Sequence, residues 1–254
     1  MSSFIYQINI NFKRIILRNK RFFFFDVMLP IIFYILYSKI FVSSRMPKAA
    51  LNIWQTNYLV SMIIYGCLLG STITVANTLL EEHISHFELL TKITPLPRWK
   101  YYLSRILIFL LLNLIAAIGI CITGLLINHL TLPLQTWALI ILITLVGTIP
   151  LIFIGIMISM SGSPATVNLL NNIVTFPLAI VGGLWFPIAS MPQWFQTISK
   201  LTPTFELSSI DKTVLYNKAP DNQSIFGIVV WLILLSVSTL LIVKYQKHKE
   251  LDFE

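Results

Sequence analysis

Residues 106–160 read ILIFLLLNLIAAIGICITGLLINHLTLPLQTWALIILITLVGTIPLIFIGIMISM, without one Asp, Glu, Lys or Arg. The charge-free run continues to Ser199, 94 residues in all, and His129 is its only histidine. A bilayer core about 30 Å thick needs roughly 20 helical residues per crossing, so this run holds about three crossings, their connectors and a further apolar element. Each crossing is expected to be helical, because an open strand edge in lipid leaves backbone groups unpaired.

Working outward, 49–80 and 222–243 are equally free of the four charged residue types. Across 254 residues, 56% are hydrophobic and 11% charged, and the mean hydropathy is +0.81. Soluble domains carry about 25% charged residues, and a globule of 29.0 kDa has too little interior to hide this much apolar surface. Lipid is therefore the solvent. The net charge of +8 sits beside apolar runs, where basic residues set orientation and meet anionic headgroups; no basic domain is left for nucleic acid. Cys67 and Cys121 both fall inside apolar runs and read as small buried residues, not a disulfide framework.

The fold class expected is all-α and polytopic, with six spans at 22–42, 57–80, 101–128, 135–160, 166–183 and 223–243. They part at Arg45-Met46-Pro47-Lys48, at the charged stretch from Glu81, at His129–Pro133, at Ser161–Pro164 and after Gly183. An even number puts both termini on one side. With the N-terminus inside, the inner segments hold twelve basic residues (Lys13, Arg14, Arg18, Lys20, Arg21, Lys92, Arg98, Lys100, Arg105, Lys244, Lys247, Lys249). Six lie outside: Lys39, Arg45, Lys48, Lys200, Lys212 and Lys218. That asymmetry predicts cytoplasmic termini in a multi-pass protein of the cell membrane. The first span is kept as a span and not a signal peptide, since Asp26 and Pro30 interrupt it and no Ala-x-Ala site follows.

Residues 1–21 precede the first span. Phe4, Ile5, Ile8, Phe12, Ile15 and Ile16 share one helical face, and Lys13, Arg14, Arg18, Lys20 and Arg21 lie across from it. The pattern predicts an amphipathic helix on the inner leaflet, an anchor or a lever.

Between the second and third spans, 81–97 is expected to form a short cytoplasmic helix and loop. Leu80, Ile84, Phe87 and Thr91 keep helical spacing, leaving Glu81, Glu82, Ser85, His86 and Glu88 facing water. Thr94-Pro95-Leu96-Pro97 ends it, because proline lacks a donor and restricts its predecessor. An acidic helix held between two crossings suits a basic groove on a soluble partner. The bland alternative is a solvated helix pairing with nearby basic residues. A third reading is enzymatic. Glu81, Glu82 and His86 resemble, in part, the Glu-Glu-x-x-x-Arg motif of intramembrane CAAX-type proteases, but position 86 is His and no later span carries a second histidine motif.

Past the fifth span, Val181-Gly182-Gly183-Leu184-Trp185-Phe186-Pro187 leads to Met191-Pro192-Gln193-Trp194-Phe195. Paired glycines and prolines break a helix, and tryptophans favour the headgroup level, so 184–210 is expected to dip into the outer leaflet as a helical hairpin. Broken backbone at that depth requires cover from protein or water. Asp26, the only acid well inside a span, is a functional candidate by default, although its place near the inner end equally allows snorkelling to water or pairing with Arg21. Asn171 and Asn172 could bond between helices or line a path, and Gly66 with Gly70 forms a small-xxx-small packing face.

The order of these elements resembles the permease of ABC type 2 exporters over nearly the whole chain. Glu88-Leu89-Leu90-Thr91-Lys92-Ile93-Thr94-Pro95-Leu96 is similar to the family's Glu-x-Leu…Thr-Pro-Leu stretch. Gly183-Leu184-Trp185-Phe186-Pro187, then Met191-Pro192-Gln193-Trp194-Phe195 and Leu201-Thr202-Pro203-Thr204, resembles its Gly-x-x-Phe-Pro…Pro-x-Trp…Pro hairpin. At Glu81–His86 the chain departs from members that carry an Arg and a Gly there. The sequence has no Gly-x-x-x-x-Gly-Lys-Ser/Thr phosphate loop, so the chain is not expected to be an enzyme or to hold a cofactor or metal.

The resemblance implies separate cytoplasmic ATPase subunits that bind ATP and Mg²⁺, and a second permease, identical or homologous. It also implies ATPase coupling through Glu81, Glu82, His86, Phe87 and Glu88, and an outer gate at Gly182, Gly183, Trp185, Phe186, Pro187 and Trp194. A path lined by Asn171, Asn172 and Asp26, with apolar walls, suits amphipathic cargo such as an antimicrobial or cytolytic peptide or a drug, with lipid or glycan as the alternative.

Overall fold

The computed structural model describes residues 9, 12–17, 23–40, 47–85 and 98–251. Within them every regular element is helical. Most of 1–21, the connector 41–46 and residues 86–97, with His86, Phe87 and Glu88, lie outside the described residues.

The first helix, α1, covers residues 23–40. Pro30 cannot donate to the carbonyl of Asp26 four residues back, and the ladder widens to π-type turns over Phe23–Met28 and again over Leu36–Ile40. Helix α2 is Lys48–Ile84, started by Pro47 and unbroken for 37 residues. Helix α3 is Arg98–Asn128. Helix α4, Leu134–Ser159, bends at Thr148 because Pro150 supplies no donor to the turn before it. Helix α5 is Pro164–Val181, capped by Ser163, whose Oγ accepts from the Thr166 amide at 3.1 Å. Two short helices follow, α6 (Gln193–Ser199) and α7 (Pro203–Leu215), and then α8, Asn222–Leu251.

Five of these helices, α2, α3, α4, α5 and α8, are long and apolar enough to cross a membrane. The packing is centred on α2. Of its most apolar window 94% is buried, against 11% for α8, whose Phe226, Leu240 and Leu241 point outward. In lipid, helices associate by close packing and interhelical hydrogen bonds rather than by expelling water, so contact requires small residues. Gly66 lets the Asp26 carbonyl and Ile120 approach α2, and Gly155 of α4 rests against the Ser71 and Thr72 carbonyls. The expected Gly66/Gly70 face is thus the seam for α1 and α3. Phe12 and Ile15, from the helical stretch Phe12–Leu17, pack with Val27, Val75 and Ile108.

One expectation is corrected here: Glu81 and Glu82 do not begin a separate helix but occupy the last turn of α2. After Gly183, α7 packs into the bundle against α2, α4 and α8, and Leu207 is fully buried over Gly147.

Candidate functional site

Helix spacing sets the site. Thr74, Asn77, Thr78 and Glu81 stand at i, i+3, i+4 and i+7 on α2, and Asn168, Asn171 and Asn172 at i, i+3 and i+4 on α5. These two polar stripes line one cavity of about 300 Å³, whose apolar wall is Phe25 and Leu29 of α1, Leu69 and Ile73 of α2, and Phe176 of α5. From Glu81 to Leu69 the groove runs ~18 Å along α2 at 1.5 Å per residue. Glu81, exposed, also borders a second cavity of about 230 Å³ with Thr78, Glu82 and Ser85.

Phe176, at the apolar end of the larger cavity, joins it to an aromatic cluster. Trp185 meets Phe176, Tyr65 and Phe33 edge-on at 5.9, 5.6 and 5.5 Å, and Phe186 meets Tyr37 at 6.4 Å. Tyr58 stacks on Trp54 at 5.2 Å one layer further out. The turn that delivers Trp185 needs glycine twice. Gly183 has φ +71°, a left-handed conformation, and a Cβ on Gly182 would collide with Thr204, whose hydroxyl donates to the Leu178 carbonyl at 2.9 Å. Pro187 precedes a single turn at Ile188–Ser190, and Trp194 stays on the surface, edge-on to Phe195 at 5.6 Å.

Behind the groove lies a hydrogen-bonded belt. Asp26 is fully buried, and Thr74 donates to its Oδ2 at 2.6 Å. The gap at Gly70 seats its carboxylate inside the bundle and not at the water edge, which closes snorkelling to it; Arg21, the other expected partner, lies outside the described residues. The Asn113 amide donates to Ser71 at 2.8 Å and Thr148 at 3.3 Å; Thr72 and Thr175 share a bond of 2.9 Å; Thr144 donates to Asp211 at 2.8 Å. Buried polar groups need such partners. Among the described residues some buried polar atoms lack one, the Ser38 and Tyr58 hydroxyls for example, and in Asn171, 2% exposed, both the Nδ2 and the Oδ1 do. Asn172, one residue on, is exposed within the groove.

Glu82 does not face water. It is buried and ion-paired with Arg105 of α3, which joins the ends of α2 and α3. A carboxylate so held is not available as a general base, and among the described residues no three of His, Cys, Asp and Glu are grouped to hold a metal.

Burial of three charged residues of α7 is not apparent from the sequence. Burial pushes the Asp211 carboxyl up to about 8, opposed by the Thr144 bond, and pulls Lys212 down to about 8, opposed by Asp211. Glu206 lies against Gly227 of α8, and burial raises it, opposed by a bond from Ser224. Asn77, Asn168, Thr74 and Thr78 were missed as well, although a wheel of 74–81 set beside one of 168–172 displays both stripes.

Comparison with known proteins follows the same outline. Residues 44–244 match the family model described as "ABC-2 family transporter protein". The "Putative transport permease YvfS" of Bacillus subtilis (strain 168) is 24% identical over 235 residues, covering 92% of this chain and 93% of the relative. No solved structure matches the chain.

Proposed function

The chain belongs to the ABC-2 transporter family, a family of membrane permeases that work with an ABC ATPase, and on that premise we propose that it is the permease subunit of an ATP-driven exporter of amphipathic cargo. The match over 44–244 carries this reading, because it spans all five helices long enough to cross. In the proposal α1 is a sixth crossing, both termini are cytoplasmic, and the Glu81 end faces the cytoplasm. Two such chains, identical or homologous, bring their grooves together into one path.

The groove supports the proposal physically. Its polar stripe and apolar wall suit a molecule with both kinds of surface, and it opens at Glu81 and ends under Trp185. Asn171 and Asn172 line the path, with Asp26 bracing its wall through Thr74. Gly182, Gly183, Trp185, Phe186, Pro187 and Trp194 form the outer gate. ATP and Mg²⁺ bind the partner subunits. Their closure pushes on the segment 81–97, where Phe87 and Glu88 make the contact, and the Glu82–Arg105 pair passes the motion into α2 and α3 together.

The test is a charge swap in the co-purified permease–ATPase complex. Glu82→Arg is expected to uncouple ATP turnover from transport, and adding Arg105→Glu to restore coupling at least in part. Glu88→Lys is expected to weaken ATPase retention. Retrieval of no ATPase from the native membrane, or full coupling in Glu82→Arg, overturns the proposal.

A further inference from the structure

Among the described residues the buried side chain of Asn171 bonds through neither polar atom, whereas the amide nitrogen of buried Asn113 donates to two hydroxyls. Leaving such a group unpaired costs stability, whereas replacing it by an apolar group of the same shape is close to neutral or favourable. Asn171 belongs to the wall of the cavity that Leu29, Leu69 and Ile73 also line, so an occupant of the groove lies beside an amide that has no other partner among the described residues. The charge of that lining is one-sided. Glu81 stands at the mouth, and no Lys or Arg lines the cavity among the described residues.

We propose that this groove selects cationic amphiphiles that carry an amide. The cationic head rests at Glu81, the amide exchanges hydrogen bonds with Asn171, and the apolar chain lies against Leu69, Ile73 and Phe176. The inference rests on the transport reading above and names the cargo class within it. A mouth carboxylate attracts cations and repels anions by the same Coulomb term, so the selectivity is a difference between head groups and not a gain for every amphiphile. The buried amide acts differently: a site built to bond an amide disfavours the analogue lacking it, because the site's own donor and acceptor then stay unpaired.

Three probes separate these contributions: N-dodecanoyl-1,4-diaminobutane, whose head is an ammonium, N-dodecanoyl-4-aminobutyrate, whose head is a carboxylate, and dodecyltrimethylammonium, which has no amide. Binding to the permease–ATPase complex is measured in phosphatidylcholine nanodiscs without nucleotide, with empty nanodiscs subtracted, so that a coupling defect does not enter. The ammonium amide is expected to bind about tenfold more tightly than the carboxylate amide, a difference of ~1.4 kcal/mol. Glu81→Gln should abolish that preference. Asn171→Leu should weaken both amides about tenfold, leave dodecyltrimethylammonium unchanged and raise Tm by about 2–4 °C. A Tm that falls in Asn171→Leu together with loss of all three probes marks a structural asparagine and overturns its part of the proposal. Equal binding of the two amides in the unaltered complex, or a preference that survives Glu81→Gln, overturns the assignment of charge. Either result in a complex that still couples ATP turnover to transport sinks the cargo class alone, whereas absence of coupling sinks the transport reading.

Discussion

Asn113 and Asn171 are both asparagines on apolar helices, 1% and 2% exposed, and they live in opposite circumstances. Asn113 faces Ser71 and Thr148 in a belt that ties α2 to α3 and α4, and it is part of what holds the fold. Asn171 lines a cavity between α1, α2 and α5, and its side chain makes no hydrogen bond among the described residues. The difference separates a static side of the bundle, where side chains bond from helix to helix and glycines allow backbone contact, from a side left underpacked. In lipid such underpacking is not repaired by hydrophobic collapse, so a groove with free amides persists until something fills it.

The comparison breaks most readily at the static side. A methyl at Gly155 would press on the Ser71 and Thr72 carbonyls, backbone atoms that cannot step aside. Gly155→Ala is therefore expected to cost ~3 kcal/mol, the upper part of the overpacking range, lowering Tm by about 6–12 °C in a thermal melt of the purified complex. If Gly155→Ala is neutral, the belt is not the rigid half. Next in size is Asn113→Ala, which removes the bonds to Ser71 and Thr148 and should lower Tm by about 3–6 °C, in contrast to the rise expected for Asn171→Leu. Equal and opposite signs at two buried asparagines would be hard to reconcile with any account in which both are structural.

Asp211 gives a smaller effect with a pH signature. Its folded value is raised, so stability is present at low pH and is lost as pH climbs from the ordinary carboxylate value of 3.8 through about 8. Lys212 is lowered, and its loss sets in as pH falls from 10.5 through about 8, so the Asp211 window lies below that of its neighbour. Asp211→Asn should gain on the unaltered protein progressively between pH 5 and 8, by about 2–4 °C at the upper end, read as Tm against pH. A constant difference across that range would show that the carboxyl is not desolvated. Smallest of all, Asn168→Leu on the exposed groove face should move Tm by less than about 1 °C while altering cargo binding.

Much of the fold was legible because lipid imposes a simple grammar. The charge-free run 106–199 corresponds to most of α3, all of α4, α5 and α6, and the turn at Gly182–Gly183. What stayed hidden was burial of charge. Glu206, Asp211 and Lys212 read as an outer loop because the residues that cover them, Thr144, Ser224 and Gly227, are far away in sequence. Glu82 read as water-facing for the same reason, since Arg105 lies across a connection. Asp26 is ambiguous in the sequence because the room that Gly70 leaves for it is a tertiary feature. Asn171 and Asn172 stand out in the sequence, but the second stripe on α2 that makes them a groove does not, because its threonines pass for ordinary helix hydroxyls.

The account turns on whether the groove between α1, α2 and α5 is entered from the Glu81 side and closed by the ATPase cycle. A single cysteine at Asn172, in a chain with Cys67→Ala and Cys121→Ala, reports this directly through labelling by a membrane-impermeant maleimide applied to either face of sealed vesicles. Labelling from the cytoplasmic face without nucleotide, suppressed when the ATPases are trapped with an ATP analogue, is the result expected. Labelling that ignores nucleotide, or that comes from the opposite face alone in the resting complex, would contradict it.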